Sequence, residues 1–342
     1  MGAIASGAVD MDINVPIRGG SLTGTLTIPN GPPGPAVMLI GGTFSDLRDG
    51  DADPRHRPDV PPHGMYRVLA EGLAAAGLAV LRFDRRGCGE SPGERPTRAQ
   101  EIDDAADAWR WLDTRPDVAW AAAMVGESAG AYVLCRLAAQ GFEPQAAVLQ
   151  GALHRSIAGL IEFNARRARQ FYDRGPTERA WMWRRARHEY ANAVLADATL
   201  EALADGRGGM VHAEDARGVF EQDLDGLAYD LLHPPADQFA AVACPTLVLH
   251  GADDLNVPVE DAFDTTRALW RSGNRGVELR ILDGADHSMQ VTPPDPDDRL
   301  SERISFASFH RPFHRSYPTV IAEFLLRHLI SDGTATGPGI RK

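Results

Sequence analysis

The chain has 342 residues, 44% of them hydrophobic, enough to bury a large core as one α/β domain or as one domain carrying an insertion. A formal net charge of −12 argues against nucleic acid and against an anionic membrane as partners, since both need a basic surface to release counterions. The longest apolar runs, at 73–81 and 324–330, fall far short of the roughly 20 residues that span a bilayer, so no transmembrane helix is predicted.

The first fifteen residues lack both a basic region and an apolar stretch of secretory length, which predicts a cytoplasmic location. Met1, Gly2 and Ser6 fit the short myristoylation pattern. Against it stands a bias toward Ala, Gly, Asp, Pro and Arg, with Lys342 the sole lysine, of the kind a GC-rich bacterial genome produces. "MDINVPI" (11–17) and "SLTGTLTIP" (21–29) alternate apolar and polar residues around Gly19 and Gly20, as a hairpin does. Six short apolar runs follow, at 35–42, 78–84, 121–126, 146–151, 245–251 and 277–282, in the pattern of strands buried on both faces of a parallel sheet. Helical segments separate them. The one at 98–114 opens behind Thr97 with Gln100 three residues on, a capping box, and Ile102, Ala105, Ala106, Trp109 and Leu112 form its apolar stripe. Alternation at this spacing predicts right-handed crossovers and a mostly parallel, twisted sheet with helices on both faces.

One long interruption, residues 153–242, contains no strand-like run and reads as helices over 155–173 and 177–195 followed by an irregular acidic stretch. It predicts an all-helical cap inserted after the sixth strand, with residues 1–152 and 243–332 as the core and 333–342 as a disordered tail. A second interruption follows His287 and delays the last helix, at 319–330. Cys88, Cys135 and Cys244 form no CxxC pair and read as reduced, mostly buried thiols.

Chemistry enters at "AAAMVGESAGAYVL" (121–134), where a strand ends at Val125, a helix begins after Ser128, and Gly126 and Gly130 remove side chains at the junction. Strand, sharp turn and helix form a nucleophile elbow, which exposes a serine hydroxyl above the sheet. Such a hydroxyl needs an adjacent base, and the base an orienting acid. Asp254 follows the strand at 245–251 and His287 the strand at 277–282, so Ser128, Asp254 and His287 stand in the chain order of such a triad. Asp253 competes with Asp254; Asp286 reads as a turn residue satisfying its own backbone, and His250, His310 and His314 as surface or pocket-lining histidines.

Over residues 20–150 and 243–330 the chain resembles the α/β-hydrolases. Within them, "LIGGTFSDLRDG" and "LAEGLAAAGLAVLRFDRRGCGES" are similar to stretches of cofactor-free esterases and serine-aminopeptidase-like hydrolases. The resemblance puts the acid three residues after a glycine and three before Val-Pro, hence at Asp254. Many such relatives have His-Gly where this chain has Gly41 and Gly42, and the oxyanion donors carry over as the backbone N–H groups of Thr43 and Ala129. It also implies no metal and no organic cofactor. "RRGCGESPG" fails as a dinucleotide fingerprint because its third spacing is wrong and Pro92 and Pro96 delay the helix. "DGDAD" (49–53) fails as a calcium loop and reads as a solvated acidic loop.

Phe44, Trp183 and Arg187 are the candidate substrate-binding residues. Arg187 has two readings, a cation–π or packing partner of Trp183 or a binder of a substrate carboxylate. The expectation is a serine hydrolase that cleaves a small-molecule carboxylic ester through an acyl-enzyme. An acyltransferase or cyclase with the same triad, a peptidase or thioesterase, and a noncatalytic binding protein are the alternatives. Oligomeric state is left open.

Overall fold

The computed structural model describes residues 7–224 and 233–329; the myristoylation pattern and the tail at 333–342 lie outside them. Eight strands form one sheet: β1 (Val9–Ile17), β2 (Gly20–Ile28), β3 (Pro35–Ile40), β4 (Ala79–Phe83), β5 (Trp120–Glu127), β6 (Ala146–Gln150), β9 (Thr246–Gly251) and β10 (Val277–Leu282). Their order is β1-β2-β4-β3-β5-β6-β9-β10. β1 and β2 form an antiparallel hairpin in register from Val9 opposite Ile28 to Ile17 opposite Gly20, β2 joins β4 antiparallel, and every later pairing is parallel. Strands β3, β6 and β9 are buried at every position, which is why they lack the alternation that the edge hairpin shows.

Helices α1 (Met65–Ala75), α2 (Arg98–Asp113) and α3 (Ala129–Ala139) connect the first strands. The capping box of α2 is formed, with Thr97 Oγ1 accepting from the Gln100 amide and Gln100 Oε1 from the Thr97 amide, and its five predicted stripe residues are buried. Between β6 and β9 the chain leaves the sheet and forms α4 (Ile157–Tyr172), α5 (Pro176–Arg185) and α6 (Arg187–Ala204). After β9 come α7 (Glu260–Arg271), α8 (Pro296–Ile304) and α9 (Tyr317–Leu329). Leu69 and Leu73 of α1 pack with Ile321 and Leu325 of α9 on one face of the sheet; Trp109, Leu134 and Leu269 of α2, α3 and α7 pack on the other.

Three expectations are corrected. The insertion is not all-helical: β7 (Met210–Asp215) and β8 (Gly218–Asp223) pair as an antiparallel hairpin. Of its strand residues only Val211 is buried, so there is little apolar alternation to read. The helix predicted over 177–195 is two, broken at Ala186 (φ −150°, ψ 51°), where neither proline nor glycine marks the break. The acidic loop at 49–53 is not simply solvated. Asp49 pairs with Arg82, Asp51 accepts the amides of His63 and Gly64, and buried Asp53 takes Arg55 and the Gly89 amide. The three cysteines are free, two buried and Cys244 partly so. No helix among the described residues is long and apolar enough to cross a membrane.

Candidate active site

Ser128 stands between the end of β5 and the start of α3 with φ 51° and ψ −117°, a strained conformation for a residue with a Cβ. Its neighbours make the turn possible. A Cβ on Gly126 would lie 2.6 Å from the carbonyl oxygen of Gly130, and one on Gly130 only 2.0 Å from that of Ile40, so β5, β3 and α3 meet backbone to backbone. The Ser128 amide donates to the Gln150 carbonyl of β6 at 2.8 Å and fixes the turn to the sheet.

Asp254 and His287, in the loops behind β9 and β10, are brought together. His287 Nδ1 lies 2.6 Å from Asp254 Oδ2, with both residues buried. The amides of Asn256 and Val257 donate to Asp254 Oδ1 at 2.7 and 2.9 Å. Burial pushes the Asp254 carboxyl up, but the imidazoles of His287 and His250 outweigh it and hold the group well below the usual carboxylate range. Asp253 is committed elsewhere, to Thr292 Oγ1 at 2.6 Å and to Arg299. Asp286 accepts the amides of Ser288 and Gln290, as a turn residue does, and burial raises it to about 6. Buried His250 has its Nε2 2.9 Å from the Val257 carbonyl, His314 accepts the Ser316 amide, and His310 is exposed.

A second carboxylate faces the imidazole. Glu127, buried beside Ser128, places Oε1 3.5 Å from His287 Nε2. Its Oε2 accepts the Gly42 amide at 2.8 Å, the Ser45 hydroxyl at 3.1 Å and the Tyr66 hydroxyl at 3.2 Å. Burial works to lower His287, but Asp254 and Glu127 prevail and push the imidazole up to about 10. With the Gly42 amide taken by Glu127, Thr43 offers the next N–H along the loop, and Thr43 and Ala129 line one cavity with Ser128. The loop is clamped from outside: fully buried Asp46 pairs with Arg57, Arg85 and Arg95, and Arg85 also donates to the Gly42 carbonyl at 2.7 Å.

Two cavities meet at Ser128. One, about 340 Å³, carries most of the charged side chains and is lined by Glu127, Phe44, Arg167, His188, His287 and Arg303; the other, about 310 Å³, is lined mainly by apolar residues, among them Ala129, Tyr132, Leu153, Ile157 and Phe239, with Arg98 and Glu101 on its wall, and the two are called the polar and the apolar cavity. Thr43, Leu160, Ile161 and Val257 border both.

Residues 19–288 match the X-Pro dipeptidyl-peptidase (S15) family. The chain belongs to that family. Over 150 residues this member of the X-Pro dipeptidyl-peptidase family is 35% identical to an uncharacterised protein of Mycobacterium tuberculosis, covering 43% of this chain and 47% of that one. Over 120 residues it is 31% identical to esterase EstD of Thermotoga maritima, covering 34% and 27% of the two chains. It thus spans about half or less of the length of these curated relatives. Among solved structures it is similar to an esterase of Pyrococcus furiosus (16% identity, 94% and 92% of the chains, TM-score 0.54). It is also similar to Est1E of Butyrivibrio proteoclasticus with ferulic acid bound (15% identity, 92% and 98%, TM-score 0.55). The fold is that of the α/β-hydrolases.

Of the candidate substrate contacts in this family member, Phe44 does line the polar cavity, its ring 6.1 Å from that of His188 and the Arg57 guanidinium 4.8 Å above it. Trp183 and Arg187 are corrected: neither borders either cavity. Trp183 packs on Tyr190 and on Phe220 of the hairpin, and Arg187 stacks 4.7 Å over the Trp183 ring, so the packing reading of Arg187 stands. Sequence reasoning missed Glu127, although it lies inside the elbow motif, and Arg303. The sign of Arg303 was its place on α8, three residues from Leu300 and one from Ile304, a cation on an apolar face.

Proposed function

We propose that the protein is a serine hydrolase that cleaves a carboxylic ester, or a related acyl bond, through an acyl-enzyme. The observation that carries this reading is the buried pair of Asp254 and His287 at 2.6 Å, opening on the cavity that also holds Ser128 in its strained turn. Ser128 Oγ attacks the carbonyl carbon while His287 takes its proton, and Asp254 holds the imidazole in the tautomer whose Nε2 accepts. The amides of Thr43 and Ala129 stabilise the oxyanion, an effect worth about 10² to 10³ in turnover per donor. His287 then protonates the departing atom, and a water it activates releases the acid.

The family match favours a second reading, cleavage of an N-terminal X-Pro dipeptide. A free α-ammonium needs a carboxylate in reach, and the two glutamates of the polar cavity are engaged, Glu189 by Arg167 and Glu127 by Gly42, Ser45 and Tyr66. That favours the ester. Labelling by a fluorophosphonate probe, with kcat/KM on p-nitrophenyl esters and Ala-Pro-anilide, tests both readings. The expected result is labelling that disappears in Ser128→Ala, with ester kcat/KM falling more than about a thousandfold. Equal labelling in Ser128→Ala overturns the mechanism, and faster cleavage of the anilide than of any ester overturns the choice between readings.

A further inference from the structure

The polar cavity holds more buried positive charge than its own carboxylates balance. Arg167 and Arg303 are 6% and 7% exposed, and both donate to the same oxygen, Asn256 Oδ1. Arg167 is matched by buried Glu189 at 2.5 Å. Arg303 is not: among the described residues no carboxylate lies within ion-pair distance of it, and its Nη1 is buried without a hydrogen-bond partner. Glu189, Asp286 and Asp254 act on it only from beyond ion-pair distance, and burial together with Arg167 lowers its guanidinium to about 10. Arg57, a third cation on the cavity wall, is already paired with Asp46 at 2.5 Å. A buried guanidinium with an idle donor is costly unless an anion completes it.

The side of Ser128 on which this charge lies is informative. His287 hands its proton to the departing atom, so the leaving group sits beside His287. His287 and Ser288 line the polar cavity; the apolar one is lined by Ala129 and not by His287. One unmatched cation suits one negative charge, hence a carboxylate rather than a phosphate dianion. Resting on the serine hydrolase reading, we infer that the substrate is an ester of a hydroxy acid. Its leaving-group carboxylate is held by Arg303, and its apolar acyl chain lies among Ile157, Phe239 and Tyr132.

The test compares kcat/KM for the butyryl ester of glycolate with that of glycolamide, in wild type, Arg303→Gln and Arg303→Lys, with thermal melting to verify that each variant is folded. The glycolate-to-glycolamide ratio is expected to fall about tenfold to a hundredfold in Arg303→Gln, the worth of a hydrogen bond to a charged group, and by less in Arg303→Lys. A ratio unchanged in both folded variants overturns the inference. So does discrimination that appears instead between monoethyl succinate and ethyl succinamate, where the charge is on the acyl side. Calorimetry with butoxyacetate and butoxyacetamide reads the site without chemistry. Selective loss of butoxyacetate binding in Arg303→Gln supports the anion site even if no ester is cleaved, an outcome that would overturn the hydrolase reading alone. Equal binding of the two ligands by wild type overturns the site.

Discussion

His287 sits between Asp254 and Glu127, and their charges set its proton affinity. Only a neutral imidazole can take the proton of Ser128. With His287 pushed up to about 10, kcat/KM is expected to climb with pH well into the alkaline range. Glu127→Gln removes one of the charges that favour the imidazolium, so the rising limb should move toward neutrality. The same change weakens the anchor on the Gly42 amide and should lower kcat. A pH profile of kcat/KM checks this, and a limb that stays in place removes Glu127 from the account. Gly130 carries a steric prediction: Ala there would press on the Ile40 carbonyl, and urea unfolding should show a loss of about 3 kcal/mol or more. At this scale the elbow was legible because Gly126, Ser128 and Gly130 stand where a strand pattern ends and a helix pattern begins. The role of Glu127 was not legible, since its partners come from Gly42, Ser45 and Tyr66, far away in sequence.

Helices α4 and α6 are joined by the buried pair of Arg167 and Glu189, and Arg167 Nη1 reaches on to Asn256 Oδ1, two residues beyond Asp254. The pair therefore ties the insertion to the loop that carries Asp254. Glu189→Gln would leave Arg167 buried and unmatched, and is expected to cost about 3 kcal/mol in urea unfolding. Glu162→Gln, which breaks the exposed pair with Arg166 on the same α4, should cost less than about 0.5 kcal/mol. Equal costs would mean that Arg167 finds another partner. The sheet strands were legible for two reasons: the edge hairpin β1–β2 alternates, and central strands such as β3, β6 and β9, buried on both faces, read as short apolar runs; β10 is only partly buried but keeps enough apolar residues to read as one. The hairpin β7–β8 was not, since its outer face is charged and only Val211 among its residues is buried. Nor was the break at Ala186, which no residue type announces.

Taken whole, the molecule sets two cavities of unlike character on either side of one serine, and both are walled in part by the insertion. Ile157→Trp would fill the apolar one, so activity should shift toward short acyl chains, with p-nitrophenyl hexanoate losing at least about tenfold more kcat/KM than the acetate. A parallel loss on both esters would mean that the acyl chain lies elsewhere. The placement of Ser128, Asp254 and His287, each behind its own strand, was legible at this scale. The charge pattern of the polar cavity was hidden, because Arg167, Glu189 and Arg303 come from three helices whose mutual packing no linear pattern encodes. Asp46 has a consequence of another kind. Three guanidinium groups, Arg57 from the loop after β3 and Arg85 and Arg95 from the loop between β4 and α2, converge on that one carboxylate, and losing it would leave three like charges crowded against the loop that carries Thr43, with only Arg85 keeping a second carboxylate, Glu101. Positions 46, 57 and 95 are therefore expected to vary together: in lineages that descend from this protein, a residue 46 without a carboxylate should stand beside altered residues 57 and 95, while Arg85 keeps Glu101 and the Gly42 carbonyl.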